Sequence, residues 1–578
     1  MPARRVRDAL IRYAPVSSSR GGRLDRRAFL RLSAGAAAIG LHGRGFASGA
    51  RETLCNGIRL ADPWPPRYRS LSQTPIAPPY LVDRPEVVPI DVGRQLFVDD
   101  FLIEETSLAR SHHHAEYYAN NPVLWPATEW EKFDEYAKRT NTHPNPAAMP
   151  FSDGVFYDAH ERSFKMWYMG GYSQNTCYAT SADGMQWQRP SLDIVSGTNM
   201  VTHGHRDSST VWLDLNDADR SRRYKMARWY DHYMELLASA DGVHWRDMGR
   251  TGFTGDRTTF FYNPFRDVWV YSIRGESALN GVSRHRRYWE TRDLFRNVGW
   301  QKDEPVVWTG ADVEDPRRPE LNVRPELYNL DCVAYESVIL GLFTIFRGER
   351  NEREKPNDVC VGFSRDGFHW HRPDRSAFLG VSETVGAWNW ANVQSAGGCC
   401  LVVGDRLYFY VSGRRGVPGT NYPGICSTGL ATLRRDGFVS MDDGPVPAVQ
   451  RVGVSAPPGT LTTRPVRFSG RYLFVNVDAP EGELRVDVLD PEARPIAPFT
   501  ADSCLPVRGD STRAKVTWSN ASDLARVAGD VVRLRFHLTR GKLYAFWVSR
   551  TPDGASLGYV GAGGPGVQGV VDDGRTGG

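Results

Sequence analysis

The sequence predicts an all-β protein, a five-bladed β-propeller followed by a C-terminal β-sandwich, and three observations carry that reading. A turn motif of the form Ser-x-Asp-Gly-x-x-Trp recurs along the middle of the chain. The composition, with 56 Gly, 37 Pro, 17 Trp and 24 Tyr in 578 residues, favours turn-rich β structure over helical bundles. Beyond about residue 455 the repeat stops and short alternating strands take its place.

At the N-terminus, Asp25-Arg26-Arg27-Ala28-Phe29-Leu30-Arg31 precedes a short apolar stretch from Leu32 to Leu41 and a small-residue site, Ala47-Ser48-Gly49-Ala50. That order of charged, apolar and small residues is the layout of a targeting segment. It resembles the twin-arginine signal of bacterial export, which implies the export machinery as a partner of the precursor and a periplasmic or secreted location. The apolar stretch is far shorter than the roughly 20 residues of a spanning helix, so no membrane anchor is expected. Residues 1–50 are assigned to this signal and 51–88 to a linker.

Residues 89–455 hold the repeat. Ser181-Ala182-Asp183-Gly184-Met185-Gln186-Trp187 returns as Ser239-Ala240-Asp241-Gly242-Val243-His244-Trp245 and as Ser364-Arg365-Asp366-Gly367-Phe368-His369-Trp370. Shorter copies surround Asp293 and Asp436, and the five Asp positions are 58, 52, 73 and 70 residues apart, a blade-sized spacing. The motif is a tight turn in which Asp caps, Gly supplies positive φ and the aromatic packs between units, so these Asp residues are read as structural.

Upstream of each turn a polar start leads into an apolar strand. Asp153, Asp207, Asp256 and Asp331 open the first four of these strands, whereas the fifth, Asn392-Val393-Gln394-Ser395-Ala396, has no Asp. The first strand of a propeller blade lines the axis, so these openings share one height at one mouth. The second strand of each blade returns to the same face and brings Asp231, Arg274, Glu276, Arg347, Glu349 and Arg414 to the rim. Glu336 and Asp158, five residues along a strand from an Asp, point away from the mouth. Residues 456–563 alternate as the strands of the sandwich, and the Gly-rich stretch 564–578 reads as a disordered tail.

Carboxylates ringing a mouth, with Arg206 and Arg257 among them and Trp388 and Trp390 in the fifth blade, suit a carbohydrate. Aromatic faces stack on sugar C–H groups, and charged side chains bracket hydroxyls. Glycoside hydrolysis needs one protonated and one ionised carboxyl, and crowded carboxylates split their pKa values in that sense. Asp153, Asp207 and Asp256 are therefore the candidate catalytic residues. Arg206, Arg257, Glu276, Asp331, Glu349, Trp388 and Trp390 are the candidate substrate-binding residues.

The repeated turns, five blades and trailing sandwich resemble the five-bladed propeller glycosidases, in particular the invertase and levanase family and more distantly the arabinanase and xylosidase family. Those families place a carboxylate at the opening of each of the first three inner strands. Ser152-Asp153-Gly154 matches the Asp of an Asn-Asp-Pro-Asn-Gly run, and Arg206-Asp207-Ser208 keeps the first two residues of Arg-Asp-Pro. Where the family has Glu-Cys, this chain has Gly255-Asp256-Arg257, so Asp256 takes the place of the Glu or Glu276, Glu326 or Glu349 reaches in. The resemblance implies an exported glycoside hydrolase acting on an oligo- or polysaccharide. The alternatives are a carbohydrate-binding propeller without turnover, or a lyase or transglycosidase on the same frame.

Other chemistry finds little support. A formal charge of +4 without a long basic run interleaved with aromatics argues against nucleic acid. His112, His113 and His114 are consecutive and alternate faces on a strand, so they cannot converge on one ion; neither metal nor cofactor is expected. Eight Cys, without a Cys-x-x-Cys pair, read as buried free thiols.

Overall fold

The computed structural model describes residues 51–140, 142–349, 352–444 and 457–575. The segment 1–50, which carries the export-signal expectation, lies outside the described residues.

Five sheets form the expected blades. Blade 1 comprises Ala148–Asp158, Ser163–Gly170, Asn175–Ser181 and Met200–Thr202, hydrogen-bonded in that order. Blade 2 comprises Ser209–Leu213, Tyr224–Tyr230, Tyr233–Ser239 and Arg246–Arg250, and blade 3 Thr259–Asn263, Val268–Arg274, Arg286–Thr291 and Val306–Thr309. Blade 4 is built on Glu326–Glu336, Val338–Phe346 and Asp358–Ser364, with a bridge from Val359 to Leu379 at its outer edge. In blade 5, Asn392–Ser395 and Leu401–Val403 share the inner position beside Arg406–Arg414, followed by Cys426–Arg434. Its outermost strand is Glu116–Tyr117, from ahead of blade 1, so strands from both ends of the repeat close the ring and cover what would be an open edge.

The repeated turns hold neighbouring blades together. Asp183 Oδ1 accepts hydrogen bonds from the backbone N–H groups of Met185 and Gln186, both at 2.8 Å, and Asp241 and Asp366 cap their turns in the same way. Gly184, Gly242 and Gly367 have φ of +75°, +82° and +81°. A Cβ there would lie 2.6 Å from the Tyr410 hydroxyl, 2.6 Å from the Trp167 ring and 2.3 Å from the Asn263 amide, each on the preceding blade. Two of those neighbours also donate into the turn, Tyr410 to the Gly184 carbonyl and Trp167 to the Gly242 carbonyl. Asp436 departs from the pattern: it takes φ +60° itself and binds Arg94, Tyr335 and Asn476 in a buried node.

The second domain is all β, one curled antiparallel sheet around its own apolar core. The 18-residue strand Tyr472–Leu489 carries the curl: its first half pairs with Lys542–Ser549 and its second half with Arg533–Thr539. Three short strands expected in the propeller, Gln95–Leu96, Ile103–Thr106 and Ala109–His112, pair in this sheet instead, as does Val439–Asp442. Residues 51–88, expected to be a linker, dock along blades 3 and 4, with Tyr68 bridged to Val307 and Glu52 ion-paired to Arg266.

The expected disordered tail is a further correction. The segment from Tyr559 runs across the end of the axis opposite the mouth. Tyr559–Val560 extends the inner strand of blade 4, Gly561 N–H donates to Ala334, Ala562 accepts from Tyr157, and Gly563 accepts from Val402. Val571 bridges back to Tyr559, and Asp572 accepts from Arg435. Glycine permits this close backbone approach, so the composition that suggests disorder here serves as a plug. Residues 576–578 lie outside the described residues.

Candidate functional site

The inner strand of blade 1 bows where it reaches the mouth. Its pairing with Ser163–Gly170 slips between Met149 and Gly154, and Phe151 and Ser152 take φ of +37° and +67°. The bow sends the Phe151 ring into the centre of the mouth, with the Arg257 guanidinium 4.0 Å and that of Arg414 5.3 Å from its centroid. It also turns Asp153 inward, with no exposed side-chain surface.

Two of the four expected ring carboxylates therefore belong to a buried polar layer. Asp153 accepts from Arg206 at 2.8, 2.9 and 3.0 Å, and burial raises its carboxyl to about 6 despite that guanidinium. Asp331 accepts from Ser395 at 2.6 Å, Asn329 at 2.8 Å and Ser152 at 3.1 Å; burial raises its pKa also. Arg257 donates to the Phe151 carbonyl and the Ser152 hydroxyl. Asp153 as a catalytic residue, and Arg206, Arg257 and Asp331 as substrate contacts, are thus corrected: each is buried and bonded within the protein. A bulged strand points its side chains where the pleat alone would not.

The other two carboxylates stand at the rim between blades 2 and 3. Asp207 is half-buried, and its Oδ1 has no hydrogen-bond partner among the described residues. Burial raises its pKa, and the nearby Asp256 raises it further. Asp256 lies 2.8 Å from Arg274, which also reaches Glu276 at 3.4 Å. The two-residue hairpin Asp231-His232, with φ of +43° and +68°, sets His232 Nδ1 4.0 Å from Glu276 and stacks its ring on Phe253 at 5.1 Å and 8°. The rim thus juxtaposes a carboxyl biased toward its protonated form with carboxylates held beside a guanidinium.

Across the mouth, Glu349 is half exposed, 3.8 Å from Lys355. Neither tryptophan is a platform. Trp388 lies over Gly413 and Gly429 in the sheet of blade 5, and Trp390 is buried, with Arg353 5.2 Å over its ring. Sequence reasoning missed Phe151, Arg286 and Glu354. Arg286 is buried, donates to the Arg257 carbonyl at 2.7 Å, and has its pKa lowered to about 9 by burial and by Arg257. Glu354 bonds Arg414 at 2.7 Å, while its Oε2 has no partner among the described residues. The charged run Arg347 to Lys355, between two strands that end at the mouth, is the signal that could have exposed Glu354. Glu336 and Asp158 lie at the far end, as expected, in ion pairs with Arg94 and Arg435 and with Lys165 and Arg223.

Among the described residues no group of three or more His, Cys, Asp or Glu is placed to hold a metal ion. His113 bonds Ser440 and His114 bonds Asp374. All eight cysteines are free, and only Cys55 is exposed.

No family model matches the chain, and no curated protein does. Among solved structures, a thermostable family-43 glycoside hydrolase is similar at 12% identity and TM-score 0.37, over 55% of this chain and 100% of that one. A fructofuranosidase from Schwanniomyces occidentalis complexed with fructosylnystose is similar at 11% identity and TM-score 0.33, over 75% and 98%. A glycosyl hydrolase from Bacteroides ovatus is similar at 13% identity and TM-score 0.33, over 56% and 94%. Scores this low carry no functional argument; the architecture above rests on strand pairing and the chemistry on the rim.

Proposed function

We propose that the protein is a carbohydrate-active enzyme, a glycoside hydrolase whose reacting groups stand at the rim between blades 2 and 3. The observation that carries this reading is Asp207: a half-buried carboxyl whose buried Oδ1 has no hydrogen-bond partner among the described residues, biased toward holding its proton by burial and by Asp256. In this reading Asp207 gives that proton to the glycosidic oxygen as the bond to the anomeric carbon breaks. Asp256, 2.8 Å from Arg274, supports the electron-poor anomeric centre and serves as nucleophile or as base toward water. Water supplies the hydroxyl that ends on the anomeric carbon and the proton that restores Asp207. Glu276 shares the Arg274 guanidinium and completes the acidic wall. An extracytoplasmic glycan is the proposed substrate, in keeping with the export signal expected at Arg26-Arg27.

A second reading draws on Phe151. Its ring closes the centre of the mouth between two arginines, which favours a propeller that binds sugar at its rim without cleaving it. Purified protein incubated with oligosaccharides and aryl glycosides separates the two. The hydrolase reading expects new reducing ends or released aglycone from at least one of them; binding without product from any would overturn it.

A further inference from the structure

A cavity of about 730 Å³ lies away from the mouth, between the docked arm at residues 68–81 and the seam of blades 3 and 4. That volume is within the range of small-ligand sites, roughly 300–1,000 Å³. Trp308, Phe368 and Trp370 line it from the blades. From the arm comes Tyr68, whose hydroxyl bonds His369 Nε2 at 2.9 Å; His369 Nδ1 in turn bonds Asp366 at 2.6 Å. Tyr68, His369 and Asp366 thus form one hydrogen-bonded chain, which holds the phenol ring at the cavity wall. Arg69 also lines the cavity, exposed and without an ion-pair partner among the described residues. The partly exposed rings of Tyr68 and Trp370, beside the Arg69 guanidinium, form the kind of surface that holds a sugar chain.

The position of the cavity gives it a purpose. Thr309, in its wall, is paired with Arg286, and Arg286 is paired with Arg274 of the rim. The upper end of the cavity is therefore two strand spacings, about 10 Å, outward from Arg274, the partner of Asp256 at the rim. A polymer leaving the rim over blade 3 meets it directly.

We infer that this cavity is an accessory glycan site, which holds a stretch of the polysaccharide whose end is engaged at the mouth. The inference rests on the glycan reading of the mouth. Two linked sites raise affinity for a chain that spans both and leave a short substrate unaffected.

The test is affinity electrophoresis through gels containing arabinan, xylan or levan, with turnover of the corresponding trisaccharides measured in parallel. Ala77→Trp fills the cavity from an exposed position on the arm, and Arg69→Ala removes the free cation; thermal melts establish that both variants are folded. Wild type and Asp207→Asn are expected to be retarded alike by one polymer, with both groove variants binding it at least about tenfold more weakly. Trisaccharide kcat/KM should stay within about twofold of wild type in the groove variants, since binding remote from a short substrate does not enter its transition state. Undiminished retardation of both variants overturns the inference, as does absence of wild-type retardation by all three polymers. Turnover reads the mouth independently: retardation lost in the groove variants while wild type cleaves nothing would sustain the groove and sink the mouth.

Discussion

Asp153 lies within the inner strand of blade 1 and Asp207 just ahead of that of blade 2, and their surroundings assign them opposite work. Asp153 is buried against a guanidinium that has no other carboxylate partner among the described residues, so its removal leaves Arg206 charged in the interior. Breaking a buried pair from one side costs about 3–5 kcal/mol, and Asp153→Ala should lose that much in urea denaturation, with activity falling only in step with the folded fraction. A variant of wild-type stability that has lost turnover would reverse the assignment. The recurrence of Asp near the start of each inner strand was legible from the repeat; that Asp153 and Asp331 fall inside their strands, in the buried layer, while Asp207 and Asp256 precede theirs at the rim, was not. It depends on the bow at Phe151 and Ser152, whose positive φ values have no glycine to announce them. Similarly, Trp388 and Trp390 look like platforms as letters, and only the packing of Gly413 and Gly429 under one and Arg353 over the other shows them occupied.

At the scale of elements, the turn motif explains both the blades and their contact. Its Asp and Gly satisfy the turn locally, and the same Gly admits the neighbouring blade, so one motif encodes a strand reversal and an interface. Gly242→Ala meets both constraints at once, with φ at +82° and the Trp167 ring 2.6 Å from the new Cβ. Gly249, at φ +111° with nothing within 4 Å, meets only the backbone constraint. Gly242→Ala should therefore cost about 2–4 kcal/mol and melt well below Gly249→Ala. Equal melting temperatures would mean that the inter-blade contact yields without strain. The periodic elements were readable because each repeat carries this signal. The short strands between Gln95 and His112 were misplaced because two to four residues of alternation do not say which sheet they join, and that is decided by a partner more than 300 residues away.

For the molecule as a whole, the two ends of the axis differ. The far end is closed by backbone from Tyr559 to Val571, so the rim at the other end is where an axial site can meet solvent. A chain ending at Leu557 loses those inter-blade hydrogen bonds and should melt lower by about 5 °C or more, with earlier proteolysis inside the propeller; an unchanged melt would make the tail a passive appendage. The central claim concerns the open end, and the most direct measurement is the turnover number of Asp207→Asn across pH on the glycan that the wild type cleaves. Because a general acid must hold its proton, wild-type kcat should fall as pH rises through the raised pKa of Asp207. The amide cannot give up a proton to the leaving group, so Asp207→Asn should lose at least about two orders of magnitude in kcat and the alkaline limb with it, while its melt stays near wild type. A folded Asp207→Asn protein with wild-type turnover and the same alkaline limb would contradict the assignment of Asp207 as the proton donor.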